Sequence, residues 1–413
     1  MMAPAWNIVE YRGRDGLLRL EADWRRLYAA MPDRTSYHAF EAHLAQVDHL
    51  MGAPDKLRLL ALSDCKEVRA ICPLVPSSDR TLWIRLDTWQ SPELRHMRSA
   101  DVICADDEAR RELTAAVVAH LRREGRGRRL LVLGPLATDS ALWDGLRSLG
   151  RGRYCTNAVE GEHLLDCSKS FDELTSMLSK KLRGELRRRR RRLDALQGVR
   201  FVQAREEADL AAEFETFLDV EASGWKGEKG AGTAIRLHRG WLQYYRTFLS
   251  LRGDEDHCEI DALYAEGKCI ASQLCVRTGG EFACLKIGYD ESYARLAPGL
   301  LLRQHMVERC CADPGVKRMN WLSESDWHRA WSPETVHLGY AYVGLDPWAG
   351  RLVVALLRLR FGPARRLVRW ARRARERLRQ RADHRLTDVI GSLQCMIARV
   401  RPDRGKLDLR LDS

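Results

Sequence analysis

The sequence predicts an α+β fold, mixed α/β in its layering, in which one structural unit occurs twice. Three observations carry this. The 413 residues exceed the usual length of one domain. Hydrophobic residues make up 45% of them, enough for a sizeable buried core. The order hairpin, strand, loop, helix, strand runs from Leu57 to Leu133 and recurs from Glu259 to Leu322. Even the hairpin turns are alike, Ala61-Leu62 to Lys66 beside Ala262-Leu263 to Lys268.

In the first half, Trp6 to Glu10 reads as a short strand. Leu17 to Met31 reads as a helix, with Leu17, Leu20, Trp24, Leu27 and Tyr28 on one stripe. Leu57 to Leu62 and Val68 to Val75 are strands joined by a polar turn, and Thr81 to Trp89 is another. Asp107 to Arg123 is helical, and Arg129 to Leu133 is a strand ended by Gly134-Pro135.

In the second half, Ser170-Phe-Asp-Glu173 is a capping box, which opens a helix. Leu174, Leu178, Leu182, Leu186 and Leu193 place one long basic helix over 170–197. Val199 to Gln203 is a strand. Leu210, Phe214, Phe217 and Leu218 mark a helix closed by Gly224 at its C′ position. A glycine-rich loop, Trp225 to Gly232, leads into an aromatic helix, Trp241 to Leu251. Strands Glu259 to Tyr264, Cys269 to Arg277 and Phe282 to Tyr289 follow. A loop then opens the helix Pro298 to Cys311, with proline in the first turn, and Val316 to Leu322 is the next strand. The division expected is 1–160, 161–348 and a basic helical tail over 349–413.

The net charge of +12 is local. Lys180 to Arg192 holds nine Lys/Arg against Glu185, and Arg351 to Ala382 holds twelve Arg against Glu376. These two stretches exceed the whole net charge, so the rest of the chain is mildly acidic. That excludes a nucleic-acid surface spread over the entire molecule. No run approaches the ~18 apolar residues of a membrane span, and the start lacks the pattern of a signal peptide. A cytoplasmic location is expected, where twelve scattered Cys serve as small buried hydrophobes. The tail carries Leu367, Trp370, Ala371, Ala374 and Leu378 on one stripe, which either touches a membrane peripherally or docks on the protein. There is no Cys-x-x-Cys pair, zinc pattern, Gly-x-Ser-x-Gly elbow, Walker loop or dinucleotide fingerprint. No metal is expected.

Three segments carry a resemblance: Phe217 to Ile235 (FLDVEASGWKGEKGAGTAI), Leu285 to Leu302 (LKIGYDESYARLAPGLLL) and Asn320 to Pro333 (NWLSESDWHRAWSP). On these the chain resembles the CelD/BcsL-like acetyltransferases, named for cellulose biosynthesis, of the GNAT superfamily, from about Trp24 to Gly344. The third segment departs from the family, with Trp327-His328 where an aromatic-Lys pair is usual. The resemblance implies two tandem GNAT-like acyltransferase domains, similar to the Fem-type transferases that use aminoacyl-tRNA. It also implies acyl transfer from acetyl-CoA or another acyl-CoA to a small-molecule or glycan-precursor acceptor, such as an amino sugar or exopolysaccharide precursor.

N-acyl transfer needs a held donor, a polarised thioester carbonyl, an unprotonated amine and a proton for the leaving thiolate. The helix from Pro298 follows a strand, so its N-terminus suits a pyrophosphate, with Arg295 and Arg303 near in sequence. The family's phosphate loop has glycines where Pro298 and Leu300 stand here; Gly299 lies between them. Tyr289, Asp290 and Tyr293 sit where the strand opens into the loop. Asp290 is a candidate base or orienting group, or else part of a turn cluster. Tyr293 is a candidate proton donor to the thiolate. His328, beside Asp326 in a polar loop, is either a substrate-binding or catalytic imidazole or a surface histidine. Trp225-Lys226 is either a mobile lid for an anionic or sugar-like ligand or a loop anchored by a buried Trp. Gln273 and Lys286 lie on neighbouring strands, and alternation alone leaves their face open. Two other readings keep the fold: an aminoacyl-tRNA-dependent transferase clamping RNA with the helix at Lys180 to Arg192, and a non-catalytic scaffold in polysaccharide synthesis.

Overall fold

The computed structural model describes residues 6–364, apart from 65, 82–83, 95–96, 98–99, 125–126, 252–255 and 326. The basic stripe from Leu367 to Leu378 and Asp326 lie outside the described residues. The chain divides into two compact units, 1–355 and 356–413, and the first carries everything that follows except residues 356–359.

Its first half comprises β1 (Asn7–Arg12), α1 (Gly13–Arg19), α2 (Glu21–Ala30), α3 (Phe40–His49), β2 (Arg58–Ser63), β3 (Val68–Thr81), β4 (Ile84–Gln90), β5 (Ile103–Cys104), α4 (Asp107–Glu124), β6 (Leu130–Ala137), α5 (Leu142–Ser148) and β7 (Tyr154–Asp166). The second comprises α6 (Phe171–Met177), α7 (Lys180–Asp194), β8 (Arg200–Ala204), α8 (Glu207–Ser223), α9 (Arg239–Phe248), β9 (His257–Ala265), β10 (Lys268–Thr278), β11 (Glu281–Tyr289), α10 (Pro298–Ala312), β12 (Arg318–Asn320), β13 (Glu334–Gly344) and α11 (Ala349–Leu359).

The repeat read from the sequence is present in the topology. In each half an antiparallel run leads to a strand, a helix and a second strand parallel to the first: β4, α4 and β6, then β11, α10 and β12. The halves fuse into one sheet, ordered β1-β2-β3-β4-β6-β13-β7-β12-β11-β10-β9-β8, with β5 beside β3. The fusion works by exchange. β13, last in the chain's order, inserts between β6 and β7 of the first half, while β7 also pairs with β12.

Both faces of the second half of the sheet are covered. Leu210, Phe214 and Phe217 of α8 and Tyr244, Tyr245 and Phe248 of α9 pack on Ile260, Leu274 and Ala283. On the opposite face Leu174, Leu186, Leu193, Leu302 and Met306 pack on Leu263, Ala271 and Phe282. All described cysteines except Cys269 and Cys311 are buried thiols, as the composition suggests.

Local breaks correct several boundaries. The single helix expected over 170–197 is two. Ser170 and Glu173 form the capping box of α6, and Ser179 then caps a new helix by accepting from Leu182 N–H at 3.2 Å. The leucine stripe carries across because Leu178 stays buried at the junction. The N-terminal helix likewise breaks at Leu20. β6 does not end at Gly134-Pro135: Gly134 adopts φ 112, and the strand continues to Ala137 because β13 pairs with it there. Gly224 closes α8 in an extended conformation, not a left-handed one.

Candidate functional site

β11 and β12 form a fork. They pair in parallel only where Glu281 to Ala283 face Arg318 to Asn320. Beyond Ala283, β11 continues to Tyr289 along β10 alone. A register shift between Leu274 and Cys275 places the extra residue Leu285 in β11, a bulge that turns the strand at this point. The first half has the same fork between β4 and β6, but its own backbone closes it. Ser91 N–H donates to Val132 O at 3.0 Å and Ala100 N–H to Pro135 O at 2.7 Å. At the second fork the pairing of β11 with β12 ends at Ala283 and Asn320.

α10 opens beside this fork. Ala297, in the left-handed region at φ 48, turns the chain, and Pro298 stands in the first turn. Proline carries no N–H, so Gly299 supplies the helix's first amide. A Cβ on Gly299 would stand 3.3 Å from Ile287 Cδ1, so helix and strand approach closely.

On the α10 side, the structure brings together three residues singled out from the sequence. Arg303 Nη2 donates to Gln273 Oε1 and its Nη1 to His328 Nε2, both at 3.3 Å. With Nε2 accepting, the imidazole proton sits on Nδ1, 3.1 Å from Ser323 O. His328 stacks on Trp321 at 4.6 Å, and the Arg303 guanidinium lies 3.7 Å over Trp327. Burial, reinforced by Arg303, pushes His328 down to about 3. Burial also lowers Arg303 to about 10, against the nearby Cys284 and Cys275. Arg303 thus turns inward to the sheet, not toward the α10 N-terminus, and His328 does not titrate near neutrality as its residue type suggests. An NMR titration of His328 is expected to show constant imidazole shifts between pH 5 and 8; a midpoint inside that window would contradict the buried, Arg-held imidazole.

On the α8 side, Lys286 and Glu221 form a buried ion pair at 2.5 Å. Glu221 Oε2 accepts Ile235 N–H at 2.9 Å, and Lys286 Nζ donates to Thr233 O at 3.0 Å. The approach of α8 requires Gly288, where a Cβ would come within 2.6 Å of Glu221 Cα. Lys226 reaches the strand from the glycine-rich loop, its Nζ donating to Ile287 O at 2.5 Å. Burial lowers Lys226 to about 8; Glu221 opposes the shift, while Lys286 and Arg303 add to it. Trp225 is exposed, and its backbone N–H donates to Glu291 Oε1 at 2.8 Å, which ties the loop to the turn before α10.

The remaining sequence candidates sit at the rim. Asp290 Oδ1 accepts Ser292 N–H at 2.9 Å and Ser292 Oγ–H at 2.7 Å, so the turn cluster forms. Tyr293 Oη donates to Glu266 Oε2 at 2.7 Å, which raises its pKa. Tyr289 and Leu300 lean on the α10-side core, and Arg295 is exposed. Glu221 and Trp321 were not singled out from the sequence, and Trp327 only as a departure from the pattern of the family it resembles. Glu221 had a signal: it follows Phe217 by four residues, an acid on the apolar stripe of α8.

Residues 180–329 match the model of the acetyltransferase (GNAT) domain family. No curated protein matches the chain. Among solved structures, a conserved protein of unknown function from Bacteroides thetaiotaomicron aligns over 78% of this chain and 97% of its own, with TM-score 0.50 and 12% identity. FemX aligns over 70% and 88%, with TM-score 0.47 and 12% identity. A tandem GNAT protein from the clavulanic acid biosynthesis pathway aligns over 83% and 99%, with TM-score 0.45 and 14% identity. The second half of this chain therefore carries a GNAT acetyltransferase domain, and the protein is an enzyme of the acyltransferase type.

Proposed function

We propose that the protein transfers an acyl group from acyl-CoA to the amine of a small molecule or glycan precursor, with only the second half binding the donor. The observation that carries this reading is the β11–β12 fork: among the described residues its pairing ends at Ala283 with α10 opening beside it, whereas the first fork is closed by backbone. The free edge of β11 offers hydrogen-bonding groups for the pantetheine amides, and Gly299 N–H with Arg295 faces the pyrophosphate. Lys226, with its ammonium at the strand edge, polarises the thioester oxygen and protonates the departing thiolate. As the amine nitrogen bonds to the carbonyl carbon, the C–S bond breaks and the amine sheds its surplus proton to water. Gln273, Arg303 and His328 hold the α10-side wall in place. The resemblance to cellulose-type acetyltransferases points to an amino sugar as acceptor and to work at the cytoplasmic face of a membrane. Among the described residues, no helix is long and apolar enough to cross one.

Calorimetric titration tests the donor. Acetyl-CoA or a longer acyl-CoA is expected to bind in the micromolar range. Gly299→Trp, which places a ring at the α10 N-terminus beside Ile287, is expected to abolish binding, with the unfolding midpoint measured alongside to separate lost binding from lost packing. Failure of acetyl-CoA, longer acyl-CoAs and free CoA alike would overturn the reading.

One observation favours a second donor. α7, with seven Arg and two Lys, lies against the 291–296 turn and α10. A basic face beside the donor site suits the backbone of an aminoacyl-tRNA. Filter binding of tRNA with affinity falling linearly in log salt would support it.

A further inference from the structure

α11 is apolar on both of its faces. Its eleven residues, Ala349–Leu359, include two charged side chains, Arg351 and Arg358, and no acid. The start of the helix is held firmly. Asp346 Oδ1 accepts Trp348 N–H at 2.8 Å and Ala349 N–H at 2.6 Å. Gly350 packs on the end of β13, where a Cβ would stand 2.9 Å from Gly344 Cα. Arg122 of α4 anchors that strand end in turn, donating to Gly344 O at 3.0 Å and Leu345 O at 2.8 Å. Val353 and Val354 share the inner side with Gly350 and are buried.

A helix seated in this way ordinarily turns a polar face outward. Here Trp348 is 83% exposed and Leu352 63%, and Ala355 and Leu359 are exposed after them. The spacing 348, 352, 355, 359 sets these four side chains on one stripe, with Arg351 and Arg358 along one edge of it. Among the described large apolar side chains none is more exposed than Trp348. Single apolar residues on a surface are ordinary, but a fixed stripe along a whole helix marks an interaction surface.

Charge selects the occupant. No acid occurs between Asp346 and Glu376, a stretch that carries nine Arg. The stripe is therefore bordered, and followed in the chain, by positive charge alone. A second copy packing α11 on α11 would set arginine against arginine with no acid to offset them. An anionic bilayer suits both parts of the face. The apolar side chains enter the boundary between headgroups and acyl chains, and the arginines meet lipid phosphates.

We infer that the outer face of α11 docks on an anionic lipid surface, the helix lying in the plane of the interface with Trp348 as its anchor. This surface is separate from the β11–β12 fork. β13 begins level with the fork, since Glu334 and Asn320 both oppose Leu164, and α11 leaves its other end. Docking there supplies the membrane contact that the proposed function expects, but vesicle binding itself needs no donor.

The test is co-sedimentation of the full chain with vesicles of phosphatidylcholine alone and of an equimolar mixture with phosphatidylglycerol. Binding to the mixture is expected, weakening as salt rises, with phosphatidylcholine alone at least ~10-fold weaker. Trp348→Ser combined with Leu352→Ser alters only exposed side chains. It is expected to weaken binding to the mixture at least ~10-fold, because less apolar area enters the interface. Arg351→Glu reverses one charge at the edge of the stripe and is expected to weaken binding ~10-fold. Both variants should keep the wild-type unfolding midpoint and acetyl-CoA Kd. Binding unchanged by either variant would overturn the assignment, as would equal binding to the two vesicles or none to either. Self-association of the full chain that the double variant abolishes would give the face to a second copy instead. Acetyl-CoA failing to bind, with vesicles still bound, would remove the donor reading and leave the α11 surface in place.

Discussion

Lys226→Ala is expected to lower kcat by about 10²–10³, the usual cost of removing one group that stabilises developing charge, with little change in acceptor KM. The pH profile gives the sharper form of this result. Burial holds Lys226 at about 8, below the ordinary lysine range. Its proposed role requires the ammonium, which is present below that pH and lost above it, so kcat should fall as pH rises through about 8. Lys226→Arg keeps the charge to far higher pH, so the descending limb should vanish whatever residual rate remains. A limb that persists in Lys226→Arg, or an alanine variant with full turnover, would remove Lys226 from the chemistry. The shift arises first from burial of the ammonium against the strand edge; Glu221 opposes it, while Lys286 and Arg303 add to it.

The largest expected effect on stability is at Glu221. Its carboxylate is fully buried, pairs with Lys286 and accepts Ile235 N–H. Glu221→Ala leaves a buried ammonium and an orphaned amide, which should cost about 3–5 kcal/mol in urea unfolding. The double replacement Glu221→Leu with Lys286→Met removes both charges together and should recover much of that loss, because the desolvation penalty disappears with the pair. A single-variant cost under about 1 kcal/mol would show that the pair is not held dry. Activity need not follow stability in the double variant, since Lys226 would lose the acid that opposes its shift.

These two lysines mark the border of what a linear reading reaches. Lys226 stood out because it lies in a glycine-rich loop beside a tryptophan, and Lys286 because it lies on a strand neighbouring that of Gln273. Their partners could not be read. Glu221 is 65 residues from Lys286 along the chain, and alternation does not say which face of β11 a residue takes when a bulge at Leu285 shifts the count. His328 shows the opposite limit. Its residue type suggests titration near neutrality, but a tryptophan on either side and an arginine at Nε2 set its behaviour. Asp290 and Tyr293 are adjacent to the fork in sequence, yet their side chains are engaged by Ser292 and Glu266 at the rim.

The sequence by itself determined the repeated α/β unit, the strands other than β5, β7 and β13, the capping box at Ser170, the helix opening at Pro298 and the local confinement of positive charge. Each follows from periodicity, turn chemistry or composition within a few residues. Only the tertiary structure decided which of the two forks stays free of backbone, that β13 crosses back to join the halves, and that Glu221 and Lys286 leave water as a pair. Those outcomes depend on which strand edges find hydrogen-bonding partners and which charges lose water together, and both are set by residues distant in the chain.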